Sequence, residues 1–229
     1  MLKIVATSDT HNKYNKLIIP PCDILIDCGD YSFKGSDSEI RSFYKWLNKQ
    51  KAAYKISIQG NHELGWEANP IKGRKIALEQ CPAVHLLNNE TIEIEGIKIF
   101  GSAYSPYFNN WAYNGARTLA ESYMYNKPLL KDIWKEIQPG TNIIATHTPA
   151  YEILDELCYI DGTGRGQFVG CVDLRDRLLE IKPDIHLCGH LHEQGGKERH
   201  INGISYYNVA NCDKTYNISN EIRIIDYEK

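Results

Sequence analysis

The amino-acid sequence predicts an α/β (α+β) fold in which two stacked, mixed β-sheets carry helices on their outer faces. Short apolar runs rich in β-branched residues alternate with amphipathic stretches, a pattern typical of strands connected by helices. Between residues 84 and 101, three short strands follow one another through turns, so hairpins accompany the helical crossovers. A chain of 229 residues without repeats or a linker suits one domain, residues 1–229.

The expected elements follow from apolar periodicity and turn residues. Helices are expected at residues 37–50, 71–80, 129–137 and 172–181. Strands are expected at residues 2–7, 24–28, 54–59, 84–87, 91–95, 97–101, 142–146, 184–188, 204–210 and 221–227. Ser38 is the expected N-cap of the first helix, and Glu95-Gly96 the turn of a tight hairpin. Residues 102–127 form an irregular aromatic segment, and residues 161–170 a glycine-rich loop.

Composition narrows the class of protein. The formal net charge is −3 and no basic stripe is visible, which argues against tracking along a nucleic acid but permits a nucleotide. No apolar run is long enough to cross a bilayer, and residues 1–7 fit a first strand better than a signal peptide. We therefore expect a cytoplasmic protein, and seven irregularly spaced cysteines fit that compartment. The lack of a CxxC pair argues against a zinc ribbon or a thioredoxin motif. The sequence does not indicate an oligomeric state.

Five polar clusters stand directly after predicted strands. They are Asp9-Thr10-His11, Gly29-Asp30, Gly60-Asn61-His62-Glu63, His147-Thr148-Pro149 and Gly189-His190-Leu191-His192. Open α/β sheets bind ligands beyond the carboxyl ends of their strands, so we expect all five clusters to meet at one edge of the sheet. The glycines allow the backbone to turn sharply and bring the next side chain close.

The residue types in these clusters suit divalent metals. Asp and His are ligands of Mn, Fe and Zn, and the Asp9/His11 and His190/His192 pairs have the spacing to share an ion. The candidates are too many for one open site and match two ions with a bridging carboxylate. Two such ions activate a water for in-line attack on phosphorus, and His62 can supply the leaving group with a proton.

Each cluster also has an ordinary structural explanation. A lone DxH or Gly-Asp is common in turns, and Asn-His after Gly can cap a helix. All five clusters at strand ends, in this order, are difficult to explain as turns and caps alone.

The series DxH, GD, GNHE, H and GHxH, from Asp9 to His192, resembles the calcineurin-like metallophosphoesterase superfamily. The resemblance implies a four-layer αββα sandwich with two divalent ions, manganese being favoured over iron or zinc. It implies a first ion held by Asp9, His11, Asp30 and His192. It implies a second ion held by Asp30, Asn61, His147 and His190, with His62 contacting the phosphate.

A narrower resemblance is to the small metallophosphoesterase-domain-containing proteins. It lies in the motifs above, in Gly101-Ser102-Ala103-Tyr104 and in Trp111-Ala112-Tyr113-Asn114. It implies a phosphodiesterase acting on a small phosphodiester such as a cyclic nucleotide. The sequence departs from this group at residues 148–151, after His147, and at residues 115–130, both of which are candidates for lining the substrate pocket.

Other functions and other residues compete with this interpretation. A phosphomonoesterase or protein phosphatase would use the same ligands, and the sequence does not separate it from a diesterase. A non-catalytic scaffold is disfavoured because every ligand position is intact. Arg117 is a weaker candidate for binding phosphate than Asn61 and His62, and the aromatic side chains Tyr104, Tyr107, Phe108 and Trp111 can stack on a base or pack a loop. Structural roles are expected for His85, His186 and His200.

Overall fold

Strands and helices alternate along most of the chain. The computed structural model describes residues 1–158, 163 and 165–228. In order, its elements are β1 (Leu2–Thr7), β2 (Cys22–Asp27), α1 (Asp37–Asn48), β3 (Ala52–Ser57), α2 (Leu64–Ala68), α3 (Pro70–Gln80), β4 (Val84–Leu86), β5 (Glu90–Ile94), β6 (Ile97–Ser102), β7 (Ser105–Pro106), β8 (Asn114–Gly115), α4 (Leu119–Tyr125), α5 (Leu130–Trp134), β9 (Ile143–Thr146), α6 (Val172–Ile181), β10 (Ile185–Cys188), β11 (Glu198–Ile201), β12 (Ile204–Asn208) and β13 (Arg223–Tyr227).

Two large mixed sheets form the framework. The first has the order β13-β1-β2-β3-β4, and the second has the order β11-β12-β10-β9-β6-β5. In the first sheet β1 to β4 run parallel and only β13 is antiparallel to its neighbour. In the second sheet the four inner strands are parallel and the two edge strands, β11 and β5, are antiparallel. Both sheets therefore have a block of strands whose carboxyl ends point the same way.

The two sheets pack face to face, and alternate residues of each strand build the core between them. In β1 and β2, Ile4 and Ile26 point into this core, whereas Val5 and Leu25 point outward and pack under the helices α1 and α3. The second sheet repeats the pattern, and its outer face is covered by α5 and α6. Strands buried on both faces are expected for parallel sheets with helical crossovers. The predicted four-layer αββα arrangement is confirmed.

The sequence predicted most elements correctly, but it did not predict α2 or β11, and two further expectations differ from the structure. Helix α1 begins at Asp37 with Ser36 as its N-cap, so the expectation of Ser38 was wrong. The Ser36 hydroxyl and the Glu39 carboxylate form a capping box, and a capping box needs Glu three residues after the cap. The segment 102–127 is not wholly irregular, because it contains β7, β8 and α4. The predicted hairpin turn at Glu95-Gly96 does join β5 and β6.

Two further expectations from the sequence concern the glycine-rich loop and membrane-spanning segments. Of the glycine-rich loop, residues 161, 162 and 164 lie outside the described residues. No helix in the described part of the chain has both the length and the apolar character to span a bilayer.

The close packing of the core between the sheets allows us to predict how a cavity there would change the free energy of unfolding. Ile26 is fully buried there, and Ile18 is 88% exposed. Ile26→Ala is expected to lower the free energy of unfolding by about 2 to 5 kcal/mol, because the lost packing is not recovered by collapse. Ile18→Ala, the matched control, is expected to change it by less than about 0.5 kcal/mol. Urea unfolding measures both, and equal effects would contradict the assigned core.

The burial of His186 is expected to make the stability of the protein depend on pH. It is buried, its Nε2 lies 2.8 Å from the Thr146 hydroxyl, and burial lowers its pKa to about 3. Between pH 3 and 6.5 the unfolded chain binds a proton that the folded imidazole excludes, so stability falls as the pH falls through this window. From pH 7 to pH 5 the loss due to His186 is about 2 kcal/mol. We expect His186→Phe to reduce the stability difference between these two pH values by that amount; an unchanged difference would refute this assignment.

Candidate metal centre and active site

The five polar clusters come together at the carboxyl ends of both sheets. Asp9, Asp30 and Asn61 follow β1, β2 and β3 of the first sheet, whereas His147 and His190 follow β9 and β10 of the second. The expectation of a single sheet edge was therefore wrong. The site lies where the parallel blocks of the two sheets converge, so it depends on how the sheets stack.

One group of potential ligands consists of Asp9, His11 and His192, whose ligating atoms lie within 4.8 Å of one another. The two Nε2 atoms of His11 and His192 are 3.0 Å apart, and the His192 Nε2 is 3.4 Å from Asp9 Oδ1. The Nδ1 atoms point away, toward the backbone carbonyls of Ser32 at 3.2 Å and Asp213 at 2.9 Å. With protons on Nδ1, both Nε2 lone pairs face the carboxylate of Asp9.

A second group consists of Asp30, His147 and His190, again with ligating atoms within 4.8 Å. The His147 Nε2 is 3.3 Å from Asp30 Oδ2 and 2.9 Å from the Asn61 side-chain oxygen. The His147 Nδ1 donates to the Cys28 carbonyl at 2.9 Å, which orients the ring. All ligands that the sequence predicts thus lie in two neighbouring groups.

His62 lies beside both groups. Its Nε2 is 3.9 Å from Asp30 Oδ2, and its backbone N–H donates to Asp30 Oδ1 at 2.8 Å. The Nδ1 lies 3.1 Å from the Phe33 carbonyl, and the ring lies against Trp111 with centroids 4.3 Å apart. His62 also groups with His11 and Asp30 as a possible set of ligands. The imidazole is therefore held at the centre with one nitrogen available for chemistry.

Burial and charge set the protonation of the ligands. Burial lowers the pKa of His11 and of His190 to about 4, so both imidazoles are neutral near pH 7 and can ligate a cation. Burial opposes the ionisation of Asp9, but the imidazoles of His192 and His147 outweigh it and hold the pKa of Asp9 at about 2. Asp30 is likewise ionised, because His147 and His62 outweigh its burial and hold its pKa well below the usual range.

The donor set fits divalent cations. Asp9 Oδ1 is buried and accepts no hydrogen bond from the described residues. The Nε2 atoms of His11 and His192 lie 3.0 Å apart beside it, a distance that requires a proton or a cation between the two nitrogens. Carboxylate, amide and imidazole donors without a thiolate are suited to first-row divalent ions.

The ligands stand on strained backbone. Asp9, His11, Asp30 and His190 have positive φ values of 52°, 41°, 54° and 69°. Non-glycine residues rarely adopt this region, and such strain is concentrated at functional sites. Hydrogen bonds between the loops hold the strained residues in place: the His190 N–H donates to Asp9 Oδ2 at 2.8 Å, and the Asp9 N–H donates to the Gly29 carbonyl at 2.9 Å.

Two glycines permit the close approach of these loops. A Cβ at Gly60 would collide with the Asp30 carboxylate and the His147 ring, and a Cβ at Gly189 would collide with Ser8 and Asp9. Glycine is required at these two positions for lack of space and not for backbone conformation, because neither glycine has a positive φ. A side chain at Gly60 would displace Asp30 and His147, and one at Gly189 would push the His190 loop away from Asp9.

Glu63 is a supporting residue to which the sequence assigned no role. Its carboxylate is buried and accepts the backbone N–H groups of Asp30 at 3.0 Å, Ser32 at 3.1 Å and Gly60 at 2.6 Å. Glu63 therefore ties the Asp30 loop to the loop carrying Asn61. Its place within the Gly60–Glu63 cluster was the available signal, since Glu follows the Asn-His pair directly.

Tyr216 and Asp213 also contribute without a sequence motif. The Tyr216 ring packs edge-on against His11 and His192, with centroids 4.8 and 5.0 Å away. Asp213 supplies the carbonyl that orients His192. Both lie after β12, more than twenty residues beyond the last cluster, and only the fold brings them to the site.

A cavity of about 950 Å³ opens beside the centre. Tyr107, Phe108 and Trp111 line it, as does Arg117, but Tyr104 packs against Tyr113 instead. The Arg117 guanidinium also donates to the Val169 carbonyl at 3.3 Å, which positions it on the cavity wall.

The isolated histidines lie elsewhere in the fold. His186 is buried in β10, whereas His85 lies on β4 and His200 on the edge strand β11. Within the described ranges, none of the three belongs to a group of ligating atoms.

Comparison with known proteins shows the family of this chain. The sequence profile of calcineurin-like phosphoesterases matches residues 2–194, which include every predicted ligand. The human metallophosphoesterase domain-containing protein 1 is 30% identical over 244 residues, covering 98% of this chain and 70% of that protein. A UPF0046 protein of Caenorhabditis elegans is 31% identical over 224 residues, covering 93% of this chain and 71% of that protein.

Solved structures share the fold. A phosphopantetheinyl hydrolase from Mycobacterium tuberculosis has a TM-score of 0.61 at 17% identity, covering 93% of this chain and 90% of that one. A Thermus thermophilus protein has a TM-score of 0.57 at 12% identity, covering 98% of both chains. With the family profile and the relatives taken together, this chain belongs to the calcineurin-like phosphoesterase family.

Proposed function

We propose that this chain is a metal-dependent phosphodiesterase that hydrolyses a small phosphodiester, such as a cyclic nucleotide, within one domain formed by residues 1–229. One observation carries the proposal: the ligating atoms of Asp30 lie within 4.8 Å of those of His147 and His190 in its own group and also of His11 in the other group, with His62 next to it. A shared carboxylate beside a histidine that has a nitrogen available combines metal binding with proton transfer.

The ligand groups suggest how two ions would be held. Asp9, His11, Asp30 and His192 would hold the first, and Asp30, Asn61, His147 and His190 the second. Their nitrogen and oxygen donors suit manganese, iron or zinc, of which we propose manganese. When bound, such ions polarise a phosphoryl group and lower the pKa of a coordinated water.

The chain's own residues supply orientation and proton transfer. His147 and His192 are oriented by backbone carbonyls, so their Nε2 atoms stay directed at the centre. His62 is held by its contacts to Phe33 and Trp111, which leaves Nε2 to hold the proton that the leaving oxygen needs. Asn61 and His62 face the cavity and are the proposed contacts to the phosphoryl oxygens, with Arg117 on the cavity wall as a weaker candidate.

A small substrate and a cytoplasmic location are also proposed. The cavity is of the size that accommodates a small molecule, and the net charge is mildly negative, which favours a nucleotide or similar ester over a long nucleic acid. Within the described part of the chain the cysteines form no disulfide, which is typical of a reducing compartment.

The choice between diester and monoester is tested directly. With Mn²⁺ added, we expect faster hydrolysis of bis(p-nitrophenyl) phosphate than of p-nitrophenyl phosphate. The reverse preference would favour a phosphomonoesterase, and no hydrolysis of either substrate by protein shown to contain metal would leave a scaffold role.

Asp30→Asn tests the shared carboxylate. The substitution keeps the shape of the side chain but removes the charge that, in this proposal, both ions would share. We expect a loss of at least about 100-fold in kcat/KM and a fall in bound metal, measured by elemental analysis. Asp226→Asn, on an exposed edge, serves as the control and is expected to keep both properties. Near-normal turnover in Asp30→Asn would refute a two-ion centre.

His62→Ala tests proton transfer to the leaving group. We expect bound metal to be retained and kcat to fall, by about 100-fold or more, for a 2',3'-cyclic nucleotide, whose alkoxide needs a proton. The loss should be much smaller for bis(p-nitrophenyl) phosphate, because p-nitrophenolate leaves without one. His200→Ala is the matched control. Equal losses on the two substrates would show that His62 does not act as the acid.

A further inference from the structure

The cavity beside the metal centre is much larger than a phosphoryl group requires. Its volume is about 950 Å³, at the upper end of the range for small-molecule sites. The ligands Asp30, His190 and His192 contribute to one part of its lining. Much of the rest is apolar. The apolar and aromatic side chains there, among the described residues, include Pro106, Tyr107, Phe108, Trp111, Leu157, Val169 and Leu191. The space therefore fits an organic group attached to the phosphorus that the centre would hold.

Trp111 links this apolar lining to the centre. Its ring lies 4.3 Å from the His62 ring, centroid to centroid, at an angle of 36°. The next residue, Ala112, donates its backbone N–H to the carbonyl of Asn61 at 3.0 Å. Trp111 is thus attached to the same loop that carries a proposed metal ligand, and a ring against it would lie next to the reacting phosphoryl group.

Hydrogen bonds within the protein hold the segment that carries Trp111. The Tyr113 N–H donates to the Glu67 carboxylate at 2.8 Å, and the Asn114 amide donates to the carbonyls of Phe108 and Asn109 at 3.3 and 3.0 Å. These bonds close the loop on itself and tie it to α2. A preorganised aromatic surface binds a ligand without a further cost of ordering.

The aromatic surface is also incompletely covered. Phe108 is 61% exposed although it lines the same cavity as Trp111. Exposed apolar surface that is rimmed by polar groups marks binding sites. Here the polar rim includes Arg117 and Glu193.

We propose that Trp111, with Phe108, forms a stacking site for a flat, unsaturated ring on the substrate, and that it selects phosphoesters carrying such a ring over those with small alkyl groups. This inference rests on the proposed function for its placement next to the phosphoryl group. Stacking of one ring on an aromatic side chain favours binding by about fivefold or more, and a methyl group offers no comparable face.

The test uses two non-hydrolysable probes, phenylphosphonate and methylphosphonate, on the full chain loaded with Mn²⁺. Calorimetry measures both dissociation constants, so the readout does not depend on turnover. We expect the wild-type protein to bind phenylphosphonate at least about fivefold more tightly than methylphosphonate. In Trp111→Ala the preference should fall below about twofold, and Trp111→Phe should retain most of it because a ring remains.

Two further variants separate stacking from general damage. Phe108→Ala removes a side chain that is already largely exposed, so it is expected to fold normally and to reduce the preference in part. Tyr123→Ala removes an aromatic ring that is 93% exposed and outside the described lining, and it should leave the preference unchanged. An equal affinity of the wild-type protein for both probes would overturn the proposal, as would a preference that survives in both Trp111→Ala and Phe108→Ala.

The failure of this inference is distinguishable from the failure of the proposed function. A protein that hydrolyses bis(p-nitrophenyl) phosphate but binds the two phosphonates equally would keep its function and lose the stacking site. A protein that prefers phenylphosphonate, and loses this preference in Trp111→Ala, but hydrolyses no ester would keep the stacking site and lose the enzymatic role.

Discussion

The burial of the Asp30 carboxylate at the meeting point of two sheets is the constraint on which the site depends. An ionised carboxylate removed from water is strongly disfavoured unless charges and hydrogen bonds compensate for it. His147 lies 3.3 Å from one oxygen, and the His62 N–H donates to the other at 2.8 Å. The Asp30 backbone is fixed in turn by Glu63. Removing any of these contacts would leave a buried charge short of partners, so the surrounding loops have little freedom to move.

The stacking of the sheets gives this constraint its geometry. Each sheet alone presents only part of the candidate ligands, since Asp9, Asp30 and Asn61 come from one sheet and His147 and His190 from the other. The core of interdigitated aliphatic side chains sets the spacing between the sheets, and close packing makes that spacing resistant to change. The loops can therefore adopt positive φ values at Asp9, His11, Asp30 and His190, because the framework below them and the hydrogen bonds between them compensate for the strain.

Much of the fold could be predicted from local signals. Apolar runs identified the buried strands of both sheets, because strands buried on both faces leave nearly continuous apolar runs. The edge strand β11 was not predicted, because all of its residues are exposed. The predicted helix over residues 172–181 coincides with α6. The helix cap at Ser36 was missed because Ser38 also has a hydroxyl and was taken as the cap. The spacing of Ser36 and Glu39, which form the capping box, distinguishes the two serines. Helix α4 was missed because none of its residues is buried, so no apolar stripe reveals it.

The sequence by itself determined the kind of site, since Asp, His and Asn side chains after successive strands are ligands that suit a divalent cation. None of these clusters contains a cysteine that could act as a nucleophile. It did not determine that two different sheets contribute the ligands, because strand order and sheet membership are set by long-range pairing. Nor did it reveal Glu63, Asp213 and Tyr216 as supports, or that Trp111 and not Tyr104 lines the cavity. These roles depend on contacts between residues distant in the chain, and only the packing of the two sheets and their loops brings such residues together.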